Sequence, residues 1–221
     1  TTLLTIGFVS AGLLTYAQSI GVIIGANIGS TSRGWIISLI GFKISLSAMS
    51  LPLIGVGVFT QFIAPRDFKT YGGIVTGFGL LFCGIDVLQK GMETAQDSIS
   101  FDSVTAATIG GKVLLIIIGL IMTVIMQASS ASMAATLTAL FAGAIDFEQA
   151  VYLVIGQNIG TTATALVVAI GASVAAKRTA MTHVLFNVIT AIIVTIAAPL
   201  MISLTKVITT AVSGNFDETI G

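Results

Sequence analysis

Gly25-Ala26-Asn27-Ile28-Gly29-Ser30-Thr31 returns as Gly156-Gln157-Asn158-Ile159-Gly160-Thr161-Thr162, 131 positions further along the chain and without a gap. Laid over Ser132 to Thr162 at that offset, the 31 residues from Thr1 to Thr31 give ten identities, among them Ala11 with Ala142, Gly12 with Gly143 and Gln18 with Gln149. A fused duplication is the simplest source of such a pattern, and it demands a fold made of two related halves. The repeated stretch is small and polar, yet 55% of the chain is apolar and only 8% charged, against about 25% charged in ordinary soluble domains. The chain therefore reads as an all-α integral membrane protein, since a helix satisfies its own backbone in lipid. Polar, flexible residues at membrane depth are tolerated mainly where they line a site, so function is expected where the two halves meet.

Nine acidic and nine basic residues leave no net charge, which implies neither nucleic acid nor a polyanionic surface as partner. Cys83 is the single cysteine, so an internal disulfide and a cysteine metal cluster are excluded, and it reads as a small core residue. The chain opens on repeat-like sequence without an initiator methionine, and is expected to be a fragment of something longer.

Leu3 to Leu14 and Ser19 to Ile28 are two short apolar pieces separated by a polar tip at Thr15 to Gln18. Ala134 to Ile145 and Ala150 to Ile159, separated by Asp146 to Gln149, repeat that pattern. Neither pair is made of comfortable spans, which need about 20 residues. Both pairs are expected to be helical hairpins that enter the membrane and turn back. Gly34 to Ala64 is a long stretch interrupted by Lys43 and Pro52, either one broken crossing or two short helices. Arg66, Asp67 and Lys69 read as a polar loop, Tyr71 to Met92 as a spanning helix, and Val113 to Met126 as another. The latter runs into the polar break Gln127-Ala128-Ser129-Ser130. Thr161 to Ala172 and Ala180 to Leu204 complete the second half, with Lys177 and Arg178 between them. The organisation expected is a first repeat with its following helix over 1–92, an acidic external connection over 93–110, and a second repeat over 111–221.

Helices that stop inside a membrane leave unpaired backbone groups. Their N-termini suit an anion, and their C-termini or unwound carbonyls suit a cation. Interrupted segments at matching positions in two halves are the best sequence pointer to a transporter site. Around them lie hydroxyls and carboxamides: Gln127, Ser129, Ser130, Asn158, Thr161 and Thr162, with Asn27, Ser30 and Thr31 in the first copy. These can donate to an oxyanion and accept around a hard cation. Close helix packing also favours small residues, but the polar break together with the duplicated Asn-Ile-Gly motif favours a ligand site.

Gln127-Ala128-Ser129-Ser130, the second Asn-Ile-Gly-Thr-Thr, Ala175-Ala176-Lys177-Arg178 and His183-Val184-Leu185-Phe186-Asn187 together resemble the type II sodium-phosphate cotransporter family and its bacterial relatives. The resemblance implies two inverted repeats with re-entrant hairpins and discontinuous helices, each repeat carrying a Gln-Ser-Ser-Ser motif near the bilayer centre. It implies a sodium-coupled symporter of inorganic phosphate in a cell membrane, the bacterial inner membrane by its relatives, with sodium as co-transported ion and no other cofactor. Carried over by position, Gln127, Ser129, Ser130 and Asn158 would contact phosphate, and Gln127, Ser129, Thr161 and Thr162 sodium. Asn27, Ser30 and Thr31 are the first-repeat sodium counterparts, although Arg33 and Trp35 follow where the second copy has Thr164 and Leu166. Ala128 stands in place of the family's first serine, and the repeat offset puts the first copy of the motif just ahead of Thr1.

His183 and Asn187 are one turn apart on a helix, and read as a structural hydrogen-bonding pair or a proton relay. Asp86, with Lys90 one turn later, reads as an interfacial ion pair or as a coupling site. Arg33 and Lys43 read as snorkelling residues, and Asp146 with Glu148 as a helix cap. The basic pairs Arg66 with Lys69 and Lys177 with Arg178 are placed in the cytoplasm by the positive-inside rule. Two other classes stay open: an intramembrane serine hydrolase using Ser129 or Ser130 with His183, and a non-transporting membrane subunit. No Gly-x-Ser-x-Gly elbow supports the first.

Overall fold

The computed structural model describes residues 1–41, 46–95 and 104–213. Every regular element among them is a helix: α1 (Thr2–Ser10), α2 (Tyr16–Gly41), α3 (Leu46–Ile63), α4 (Arg66–Ala95), α5 (Ile109–Met126), α6 (Ser129–Phe141), α7 (Phe147–Gly160), α8 (Thr162–Ala169) and α9 (Val174–Ser213). Among the described residues, four segments are long and apolar enough to cross a bilayer: Phe68–Leu88, Ile109–Met126, Phe147–Ala169 and Val174–Val212. Ile121, Ile125, Ile193 and Ile196 are among the many large apolar side chains facing outward. Such surfaces are stable where lipid is the solvent. This is a multi-pass membrane protein.

The chain divides into two compact units, Thr1–Gly34 with Phe101–Gly221, and Trp35–Ser100. In the second unit, α3 and α4 form a hairpin held by glycine. A Cβ on Gly72 would lie 2.7 Å from the Gly57 carbonyl oxygen, and one on Gly79 2.8 Å from the Ile54 nitrogen. The two backbones therefore meet directly, as small residues permit in membranes. Asp86 and Lys90 form an ion pair of 2.8 Å on α4, and Cys83 is half-buried there.

In the first unit α5 and α7 run side by side in the same direction. Lys112 lies over the Tyr152 ring, 5.4 Å from its centroid. Further along, a Cβ on Gly156 would strike the Ile116 carbonyl, and one on Gly160 would lie 2.7 Å from the Leu120 carbonyl. α6 is the return segment that connects them in the chain. α1 packs on α8 and α9 through Ile6, Val9, Ala165, Ala169, Ala176 and Ala180.

The repeated residues outside the motif now have a reason. Ala11 and Ala142 end α1 and α6 in nearly the same conformation (φ −80° and −75°). Gly12 and Gly143 follow at φ 73° and 72°, a left-handed region that suits glycine. Gln18 and Gln149 then reach back to the backbone N–H of Thr15 and Asp146, at 2.9 and 2.8 Å, while Thr15 and Asp146 accept from the glutamine N–H. Each hairpin is closed by the same glycine turn and capping box.

Several boundaries differ from expectation. The Arg66 loop is instead the first turn of α4, begun by Pro65, whose fixed φ is compatible with a helix start. Lys177 and Arg178 are likewise inside α9, because the Ser173 hydroxyl accepts from the Ala176 N–H at 3.3 Å and caps that helix. α2 does not stop at Ile28 but continues through 26 residues. Ser30 and Ser32 donate back to the Asn27 and Gly29 carbonyls at 2.7 and 2.6 Å, which lets a helix absorb polar residues. Ala150 to Ile159 belongs to a stretch, Phe147–Ala169, long enough to cross with only a junction at Thr161. Lys43 and most of the acidic connection, 96–103, lie outside the described residues.

Candidate functional site

The polar break after Met126 is a real interruption. Gln127 caps α5 with left-handed backbone, φ 51° and ψ 18°, its N–H donating to the Thr123 carbonyl at 2.9 Å. It is the only non-glycine residue with positive φ among the described residues, a conformation that surrounding structure must hold against a local cost. Ala128 is extended and begins α6, but offers no side-chain cap. The first backbone bond across that turn is Ser132 N–H to the Ala128 carbonyl, 3.0 Å. The N–H groups of the turn before it have no partner within the helix. Gln127 and Ser130 are exposed and Ser129 half-buried, and their side chains bond nothing among the described residues. A helix N-terminus of this kind carries about half a positive charge. Two free hydroxyls and a carboxamide surround it, an arrangement suited to an anion.

Below the break lies a buried polar cluster, in which Gln157 Oε1 has no partner among the described residues. Thr123 Oγ1 donates to Ser132 Oγ at 3.1 Å, and Gln157 Nε2 donates to the Ser132 carbonyl at 3.1 Å and to Thr136 Oγ1 at 2.6 Å. All four residues are buried. Gln157 ties α6 to α7, and sequence reasoning passed over it because the motif's repeated residues flank it. The available signal was the difference between copies, Ala26 against Gln157.

The α7–α8 junction presents oxygen. Thr161 Oγ1 donates to the Asn158 carbonyl at 2.6 Å and Thr162 Oγ1 to the Ile159 carbonyl at 2.8 Å. Their protons are used locally, while their lone pairs stay available, which suits a cation. Asn158 is half-buried with a side chain that bonds nothing among the described residues. The glycines of this copy do not unwind the helix; Gly156 and Gly160 serve the crossing with α5, and Thr161 N–H still reaches the Gln157 carbonyl at 3.1 Å.

The second-copy residues are thus assembled around α5, α6 and α7. The first-copy residues lie on α2, where Asn27 Nδ2 donates to the Ile23 carbonyl at 3.0 Å, Ser30 is half-buried and Thr31 exposed. α2 approaches α6 at Gly34, whose Cβ position is 3.2 Å from Met133 Sδ. On α9, Asn187 Nδ2 donates to the His183 carbonyl at 2.9 Å, and both residues are buried. Neither serine is hydrogen-bonded to His183 among the described residues.

The Na+/Pi-cotransporter family model matches this chain over residues 1–90 and again over 83–213. The chain belongs to the Na+/Pi-cotransporter family. It is similar to the uncharacterized protein YqeW of Bacillus subtilis, with 33% identity over 84% of this chain and 59% of that protein. It is 27% identical to YjbB of Escherichia coli, provisionally named an inorganic phosphate export protein, over 88% of this chain and 35% of that one. The rat sodium-dependent phosphate transport protein 2A matches at 29% over 44% of this chain and 16% of its own length. The chain thus spans about three fifths of one of these relatives and much less of the others. No solved structure matches. The Na+/Pi-cotransporter family is a family of transporters, which sets aside the hydrolase reading.

Proposed function

We propose that this chain forms the core of a sodium-coupled symporter that carries inorganic phosphate across a bacterial inner membrane. Gln127, Ser129, Ser130 and Asn158 contact the phosphate. Thr161, Thr162, Gln127 and Ser129, with Asn27, Ser30 and Thr31 of the first copy, contact sodium. The observation that carries this reading is the uncapped N-terminus of α6 beside an oxygen-lined helix junction. One accepts an anion without a fixed cationic side chain, the other a hard cation, so each ligand neutralises the other. A site that holds phosphate through hydroxyls, amides and a helix dipole also releases it more readily than an arginine clamp would.

The same reading takes 1–92 and 111–221 as inverted repeats joined by 93–110, with Arg66, Lys69, Lys177 and Arg178 on the cytoplasmic side. Direction of net flux follows the gradients. The test is labelled phosphate flux in proteoliposomes of the complete protein, with an inward sodium gradient and with potassium substituted. Sodium-dependent accumulation is expected. Equal rates in both arms would defeat the coupling, and no flux in either would favour a non-transporting subunit.

A further inference from the structure

The buried face of α9 is apolar along most of its length: Ala176, Ala180, Ala191, Ala198 and Ile202. His183 and Asn187 interrupt it, at 4% and 0% exposure, one turn apart. The Asn187 amide is fixed in direction, because its Nδ2 donates to the His183 carbonyl at 2.9 Å and only nitrogen can donate to a carbonyl. Its Oδ1 is therefore an acceptor, and among the described residues no donor meets it; His183 Nδ1 and, on α7, Gln157 Oε1 are also without a partner there. Buried acceptors in this state are rare and ask for an explanation.

What faces them follows from helix register. Ala176 and Ala180 pack with Ala165 and Ala169 of α8, and near the other end Lys206 meets Glu148 of α7 at 3.4 Å. α9 thus runs antiparallel to α7 and α8, and His183 with Asn187 falls opposite the segment from Asn158 to Thr162. Thr162 is itself buried, with its hydroxyl proton spent on the Ile159 carbonyl. No charged side chain occurs in α1 or α8, which pack against this part of α9; α2 meets it through Tyr16 and Ser19, and its one charged residue, Arg33, lies about four turns further along that helix. An unmet carboxamide oxygen and a hydroxyl oxygen in a dry, uncharged region are ligands for a hard cation, with the imidazole as a neighbour and not a preferred ligand.

We propose that Asn187 Oδ1 is a cation ligand, contributed by α9 to a sodium ion held at the α7–α8 junction together with Thr162. The identity of the ion rests on the transport reading above, but the site does not require that transport occurs. Sodium binding to the folded state alone raises the unfolding temperature of the detergent-solubilised full-length protein. Potassium at equal ionic strength serves as the control. Wild-type protein is expected to show a saturable shift specific to sodium. Asn187→Leu keeps the volume and removes the oxygen, and should weaken apparent sodium affinity by about tenfold or more. Asn187→Asp keeps the acceptor, adds charge and should tighten it, so this variant carries the test if the leucine protein does not fold. A sodium shift absent from wild type, or unchanged by both substitutions, overturns the proposal. An Asn187-dependent shift in a protein that moves no phosphate would leave this site standing and defeat the transport reading instead.

Discussion

Gln127 combines two properties that can be separated by substitution. Its left-handed backbone breaks α5 from α6, and its side chain offers a carboxamide at the break. Gln127→Gly keeps the turn and removes the amide. Thermal stability is expected to hold, or to rise by up to about 1 kcal/mol as the strain is relieved. Sodium-driven phosphate uptake should nevertheless fall. Ser130→Ala removes one exposed, unbonded hydroxyl at the start of α6, and should lower uptake at sub-saturating phosphate roughly ten- to 150-fold, the equivalent of about 1.5 to 3 kcal/mol for a hydrogen bond to a charged ligand. Recovery of folded protein in both variants with undiminished uptake would remove these residues from the site. Thr162→Val, which preserves shape, should weaken apparent sodium affinity more than phosphate affinity measured at saturating sodium.

Helix crossings give equivalent glycines opposite fates. At Gly156 a Cβ would strike the Ile116 carbonyl of α5, whereas at its repeat partner Gly25 nothing lies within 4 Å. Gly156→Ala should therefore force α5 and α7 apart and cost about 1 to 3 kcal/mol, as overpacking does. Gly25→Ala meets open space inside a helix, and should be neutral or stabilising by up to about 1 kcal/mol through helix propensity. Thermal unfolding of the two variants in one detergent decides this, and equal destabilisation would contradict the α5–α7 geometry. The duplicated motif thus repeats in sequence without repeating its surroundings. The turn residues do repeat: both hairpins close through the same glycine and the same reciprocal cap, because those bonds are local.

Across the first compact unit, the two copies are joined by hydroxyl pairs. Ser19 Oγ and Thr179 Oγ1 lie 2.9 Å apart and buried, and Tyr16 Oη and Thr182 Oγ1 lie 2.9 Å apart near the surface. These link the start of α2 to α9, which belongs to the other half of the sequence. A double-mutant cycle of Ser19→Ala with Thr179→Val should give a coupling of about 0.6 kcal/mol, and no more than about 1.7, the range for hydrogen bonds between membrane helices. Strict additivity would mean that α2 does not dock on α9 in the membrane.

The sequence alone determined the class of solvent, the helical nature of the spans, the place of both hairpin turns and the break at Gln127. Each depends on residues close together in the chain: apolar run length, a glycine able to take positive φ, an Asp or Thr with Gln three positions on. Helix ends were harder to read, because charge at Arg66, Lys177 and Arg178 looks like loop until a proline or serine cap starts the helix ahead of it. Only the tertiary structure decided that Gly156 and Gly160 serve a crossing, that Gln157 binds α6 to α7, and that Asn187 keeps an unmet oxygen opposite the Asn158–Thr162 segment. Those facts depend on which helix lies alongside, and two copies of one motif cannot reveal it. Identical local chemistry leaves the neighbour, and therefore the role of each polar atom, to be set by packing.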